Sequence, residues 1–235
     1  MQIPKDHKQL TSMTIISIKQ ETDGESRRIE LSDGSVFSFM PCYLPEINND
    51  ESLCYNFFTP GNCEGREINA NEEEGLRHAA ACMRAERAAL KLIARAEQSS
   101  AGLSLKLGKR GHDSVCIQKA LSRLLELRLV DDARYVRLWL ESRLNRRADS
   151  PRRLLSRLYS RGIDRDLAES RVRAALDAEV ELDLLKRHVQ KLRKRKNYEK
   201  IINRNTAEPE RSLKYYLKGE GFSPQAIELF VEQEC

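Results

Sequence analysis

Leu154-Leu155-Ser156-Arg157-Leu158-Tyr159-Ser160-Arg161-Gly162-Ile163-Asp164 is the stretch that decides the fold. Leu154 and Leu158, four residues apart, share one face of a helix. Gly162 stands where a helix end favours a left-handed residue, and Asp164 can accept from the free N–H groups of a following helix. Ala168, Val172 and Leu176 then continue at helical spacing. The same order returns as Leu103, Leu107, Gly111, Asp113, Ile117, Leu121 and Leu125, and again as Leu213, Leu217, Gly221, Ser223, Ile227 and Val231. The glycines recur after 51 and 59 residues. Between glycine and cap, Ile163 and Phe222 suit a hydrophobic staple, with His112 at the equivalent place, and Pro224 suits a first helical position. Each copy predicts helix, corner and helix, and the three form an internal repeat.

Outward from these corners, another helical stretch precedes each copy: 81–96 with Leu90, Ile93 and Ala94; 132–146 with Tyr135, Leu138, Trp139 and Leu140; and 178–200 with Leu182, Leu185, Val189 and Leu192. Each repeat is therefore a three-helix unit. Such small units bury little surface alone, so neighbours are expected to share contacts through Leu127, Leu129 and Val130, with Asp131 and Asp132 capping the next helix. A longer loop is expected between Asn197 and Glu208. The N-terminal segment differs. Thr14 to Glu21, Arg28 to Leu31 and Ser35 to Met40 read as strands around the turn Ser32-Asp33-Gly34. Residues 44–75 read as loop or linker, with Glu72-Glu73-Glu74 opening a helix that runs through Ala79 to Ala96. The expected architecture is mainly α: tandem three-helix repeats in an elongated array, with a small N-terminal β-unit. Its parts are a β-rich segment and linker (1–75) and repeats at 76–130, 131–177 and 178–235.

A chain of 235 residues, 40% hydrophobic and 33% charged, suits several modest cores. No apolar run approaches the roughly 20 residues that span a bilayer. Lys5, Asp6, His7 and Lys8 lack an apolar stretch behind them, so no secretory signal is read and a cytoplasmic location is expected. Cys42, Cys54, Cys63, Cys82, Cys116 and Cys235 show no CxxC pair, which disfavours a disulfide scaffold. His78 and Cys82, four apart on a helix, can be drawn with Cys54 and Cys63 as a zinc site, but ligand spacing is absent and burial as small apolar side chains is the better reading. No metal or cofactor is expected. His7, His78, His112 and His188 have no partner pattern, and P-loop, GxGxxG, HExxH and GxSxG motifs are missing, so nothing argues for an enzyme.

Charge is uneven. Residues 1–80 carry 7 Lys and Arg against 14 Asp and Glu, whereas residues 81–235 carry 34 against 22. The densest cluster is Arg143, Arg146, Arg147, Arg152, Arg153, Arg157 and Arg161. Arg153, Arg157 and Arg161 fall at i, i+4 and i+8, a row flanking the buried Leu154 and Leu158 with Ser150-Pro151 as the helix start. The row is either a solvated face or a surface for carboxylates or phosphates, which arginine forks grip well. Arg193-Lys194-Arg195-Lys196 reads as a basic helix end or a phosphate contact. Of Tyr215-Tyr216, one is expected in the core and one at the surface.

The run Leu129-Val130-Asp131-Asp132-Ala133-Arg134-Tyr135, then Arg143, Ser150-Pro151-Arg152-Arg153-Leu154, Leu158 and Arg161-Gly162-Ile163-Asp164, resembles the central repeat of the RecX family. The resemblance extends over about 85–232. Ile29-Glu30-Leu31 running into Ser32-Asp33-Gly34 is similar to a β-extension that some members carry. The resemblance implies a non-enzymatic modulator of DNA recombination and repair, and of the SOS response, that binds the RecA filament on DNA and restrains it. It also implies that Tyr135, Arg143, Arg152, Arg153 and Arg161 are structural or partner-contacting residues, to which Arg146, Arg147 and Arg157 are added from the basic cluster. The partner set is the RecA nucleoprotein filament, with single- or double-stranded DNA, no membrane, and the chain as a monomer. Gly108 and the long third-repeat loop depart from the family pattern. A helix-turn-helix-like DNA-binding protein is the alternative, with Arg165, Arg171 and Arg173 as base-reading candidates.

Overall fold

The computed structural model describes residues 13–44, 61, 63–194, 197–202 and 209–234. They divide into two compact units, one from residues up to Ala96 together with Leu103–Val130, the other from Glu97–Gly102 together with residues from Asp131 onward.

In the first unit, strands β1 (Met13–Gln20), β2 (Arg27–Leu31), β3 (Val36–Phe39) and β4 (Glu67–Ile68) form an antiparallel sheet ordered β3-β2-β1-β4. Ile18 pairs with Ile29, and Ile29 with Phe37, while a bulge falls between Ile15 and Ser17. Alternation places Ile15, Ile18, Ile29, Leu31 and Phe39 in the core. Three strands match the sequence pattern within two residues. β4 lies in the stretch read as linker; two residues are too few to show alternation.

Helix α1 (Ala70–Ile93) packs Leu76, Ala79, Ala80, Met83 and Ala85 into that core. It begins before the acidic run because Asn69 accepts from the N–H groups of Asn71 and Glu72, while the Glu72 carboxylate accepts from the Asn69 N–H at 2.9 Å. The remainder of α1, with α2 (Ser100–Gly108) and α3 (Ser114–Glu126), builds the first repeat core from Ala89, Leu92, Leu103, Leu107, Ile117, Leu124 and Val130. Leu125 of the repeat pattern is 43% exposed; of the expected junction residues Leu127 and Leu129 are 51% and 41% exposed, whereas Val130 is buried. Leu124 takes the inward place, and Arg128 at φ 55 ends α3 in a left-handed turn that delivers only Val130 to the core.

The second unit contains α4 (Asp132–Arg146), α5 (Pro151–Tyr159), α6 (Arg165–Ala175), α7 (Ala178–Arg193), α8 (Asn197–Ile202), α9 (Pro209–Glu220) and α10 (Pro224–Glu234). One core gathers Val136, Leu140, Leu154, Leu158, Ile163, Ala168 and Val172; another gathers Leu184, Leu185, Val189, Leu217, Phe222, Ile227 and Phe230. Leu144 and Leu176 pack against both. Asp131 caps α4 through the Arg134 N–H at 3.0 Å, whereas Asp132 accepts from the Ser100 N–H and hydroxyl at 2.8 and 2.5 Å, capping the start of α2. Part of the loop expected after Asn197 is helical, with Tyr198 packed against the third core; residues 203–208 lie outside the described set.

The repeated leucine-leucine-glycine pattern encodes one corner. The carbonyls of Leu107, Leu158 and Leu217 accept from the N–H of His112, Ile163 and Phe222 at 3.3, 3.2 and 3.2 Å. Each bond spans the helix end across a glycine at positive φ: Gly111 (81°), Gly162 (72°) and Gly221 (93°). Asp113, Asp164 and Ser223 then cap the next helix. The second leucine of each pair thus supplies both a buried side chain and the carbonyl that closes the turn.

Candidate functional site

The basic cluster of the central repeat is organised by the short connection between α4 and α5. Ala148, Asp149 and Ser150 in that connection are buried. Ser150 accepts from the Arg153 N–H at 3.3 Å and donates its hydroxyl proton to the Glu220 carbonyl at 2.5 Å, tying the start of α5 to the end of α9. Pro151, at the first helical position, loses no hydrogen bond there.

Around this connection lies a cleft of about 600 Å³ lined by Arg143, Arg147, Asp149, Arg153, Arg157, His188, Lys191, Tyr216 and Glu220, with Ala148 and Leu192. Five cationic side chains face two carboxylates. Buried Asp149 receives the Arg143 Nε at 2.6 Å and has the Arg157 Nε at 3.6 Å. Arg153 Nη2 reaches Glu220 Oε2 at 2.9 Å. His188 faces the Ala148 carbonyl with Nδ1 at 3.3 Å and meets the Phe222 ring edge-on at 5.4 Å, while its buried Nε2 has no hydrogen-bond partner among the described residues. One carboxylate holding two guanidiniums leaves donor capacity unused, as an anion-binding surface requires.

Of the eight residues singled out in the sequence, the cleft collects Arg143, Arg147, Arg153 and Arg157. Arg146 is exposed outside it, and Tyr135 packs half-buried against the central core. Arg152 lies beneath the third corner: a Cβ on Gly221 would come within 2.3 Å of the Arg152 Cβ. The expected row through Arg161 is broken, because α5 ends at Tyr159 and Arg161 sits in the corner. Its guanidinium donates back to the Arg157 carbonyl at 2.8 Å and lies 5.2 Å from the Trp139 ring centroid, with Arg143 at 6.0 Å from the same ring.

The sequence pattern does not place His188, Lys191, Tyr216 and Glu220, from the third repeat, at this site, although the cleft includes them. The signals present were modest: a lysine on the buried-face helix 178–200 and a glutamate immediately before a corner glycine. Tyr215 is 78% exposed and Tyr216 packs inward, as the pair predicted. Lys191 and Arg193 occupy the last turn of α7, where the helix dipole favours cations, and Arg195 and Lys196 lie outside the described residues. Arg165, Arg171 and Arg173 are exposed on α6, with Arg165 Nε bonded to Glu169 at 3.0 Å. Of the imagined zinc set, Cys63 is buried beside the sheet, Cys54 lies outside the described residues, and His78 and Cys82 meet Cys116 instead. Among the described residues no helix is long and apolar enough to cross a membrane.

Fold and cleft together define a tandem three-helix-repeat protein carrying a guanidinium-lined groove. Residues 131–170 match the model for the second three-helix domain of RecX. The chain is 34% identical over 114 residues to the regulatory protein RecX of Treponema pallidum (strain Nichols), covering 48% of this chain and 70% of that one. It is also 34% identical over 94 residues to the regulatory protein RecX of Mycobacterium avium, covering 40% and 54%. A crystal structure of regulatory protein RecX superposes with a TM-score of 0.67 at 17% identity, over 94% of this chain and 99% of that one. RecX from Lactobacillus salivarius superposes with 0.53 at 19% identity, over 66% and 97%. This chain belongs to the RecX family of regulatory proteins.

Proposed function

We propose that this protein restrains a RecA recombinase by binding along the RecA–DNA filament, with the cleft of Arg143, Arg147, Arg153, Arg157 and Lys191 as its contact surface. The observation carrying the reading is that cleft: arginines from two helices converge on a surface where, among the described residues, Asp149 and Glu220 are the lining carboxylates, a donor-rich surface suited to carboxylates or phosphates. Arg147 is the most informative cation, since it is exposed and ends α4.

RecA ATP hydrolysis on single-stranded DNA tests this. Substoichiometric protein should slow hydrolysis, and Arg147→Glu, a surface charge reversal, should demand about tenfold more protein for the same effect. The slowing should weaken as salt rises. No change in hydrolysis across a wide titration removes the reading. A preferred duplex site in footprinting, abolished by Arg171→Ala or Arg173→Ala on α6, replaces it with the helix-turn-helix alternative.

A further inference from the structure

The first unit holds a cluster unrelated to the basic cleft. His78 and Cys82 stand one turn apart on α1, and Cys116 reaches them from the first turn of α3. Their donor atoms all lie within 4.8 Å of one another. Cys82 Sγ is 3.5 Å from His78 Nε2 and 2.8 Å from Cys116 Sγ, and Cys116 Sγ is 3.8 Å from His78 Nδ1. Both cysteines are buried and His78 is half-buried, so the cluster has a dry side and a solvent side.

We propose that His78, Cys82 and Cys116 form a binding site for a thiophilic d10 cation of the zinc class, with a fourth position open to water. Three protein donors plus one solvent position is a recurrent zinc arrangement. With sulfur at about 2.3 Å and imidazole nitrogen at about 2.0–2.1 Å, tetrahedral geometry sets sulfur–nitrogen at about 3.6 Å and sulfur–sulfur at about 3.8 Å. The Cys82–His78 pair already stands at its spacing. The two free sulfurs must separate by about 1 Å, within reach of a small rotation about one Cα–Cβ bond. Burial as apolar side chains accounts for the two thiols, but not for an imidazole one turn from Cys82 with a ring nitrogen near each sulfur.

Charge supports the same assignment. A dication entering two thiols displaces two protons, leaving two thiolates, one dication and a neutral imidazole, so the buried complex carries no net charge. The site would also pin α1 to α3, two of the three helices that carry the first repeat core.

The test uses the full chain, reduced with a phosphine, stripped by chelation and titrated with Co(II). The expected result is one Co(II) per chain, bound with release of two protons and with sulfur-to-cobalt charge-transfer absorption that Zn(II) then abolishes by exchange. Cys82→Ala and Cys116→Ala should each abolish that absorption, while Cys63→Ala should retain it. Because the alanine variants can lose structure, X-ray absorption on the zinc-loaded unaltered chain supplies a second measure, expected to show two sulfurs, one imidazole and one light ligand. No uptake, uptake without the sulfur band, uptake unchanged in the Cys82→Ala/Cys116→Ala double variant, another ligand shell, or only a Cys82–Cys116 disulfide each overturns the proposal.

Discussion

Gly162 should resist replacement for two separable reasons, and a double-mutant cycle can pull them apart. At φ 72° an alanine bears the left-handed penalty, about 1–2 kcal/mol. Its Cβ would also stand 2.5 Å from the Ala101 Cβ at the start of α2. Neither methyl can rotate away, so helix backbone must move, an overpacking cost of about 1–3 kcal/mol. Gly162→Ala should therefore cost about 2–5 kcal/mol in total. Ala101→Gly alone should cost no more than about 1 kcal/mol of helix propensity. Combining them removes the colliding methyl, so the double variant should be more stable than the summed single costs by about 1–3 kcal/mol. Urea unfolding followed by tryptophan emission measures this, since Trp139 is the chain's single tryptophan and packs against the central core. If the two costs add within about 0.5 kcal/mol, the contact carries no energy and the argument fails. Gly111, at φ 81° with nothing within 4 Å of a built Cβ, should show the backbone cost alone when changed to alanine.

Asp149→Asn strips the buried charge from the Arg143 and Arg157 guanidiniums and should lower stability by about 1.5–3 kcal/mol; a loss below about 0.5 kcal/mol in the same urea assay refutes its structural role. Arg128→Gly should raise the stability of the first unit by about 0.5–1 kcal/mol, read from its thermal midpoint, because φ 55 strains a side-chain-bearing residue and suits glycine. Hydrogen bonds from Ser26 hold Asp23 down to about 2. A depressed carboxylate stabilises above its unfolded value of about 3.9 and loses that contribution as pH falls through the folded value. Asp23 is well exposed, so the contribution is under about 1 kcal/mol; wild type should exceed Asp23→Asn at neutral pH and converge with it toward pH 2, and a gap constant with pH contradicts the assignment.

What the sequence disclosed and what it withheld follow from the range of the interactions involved. Leu158, Gly162 and Asp164 are legible because helix, turn and cap are all settled within seven residues, and the grammar repeats three times. Arg161 misleads because i+8 spacing assumes a helix that the same glycine terminates. Leu127 and Leu129 look like junction residues by composition, yet one left-handed residue before Leu129 decides which side chain turns inward. Asp132 caps a helix that begins 32 residues earlier, a pairing no local pattern announces. The cleft is half legible for the same reason: its arginines cluster in one repeat, while His188, Lys191, Tyr216 and Glu220 arrive through tertiary packing.

Arg153 belongs both to the cleft and to the joint between the second and third repeats, since its bridge to Glu220 sits beside the Ser150 bond and the Arg152–Gly221 contact. An anion that displaced Glu220 from this guanidinium would couple its own binding to the attachment of the third repeat. By linkage, whatever loosens that joint must favour occupancy to the same degree that occupancy loosens the joint. On the proposed reading, the groove would be a strain gauge as well as a grip, registering how the third repeat is held.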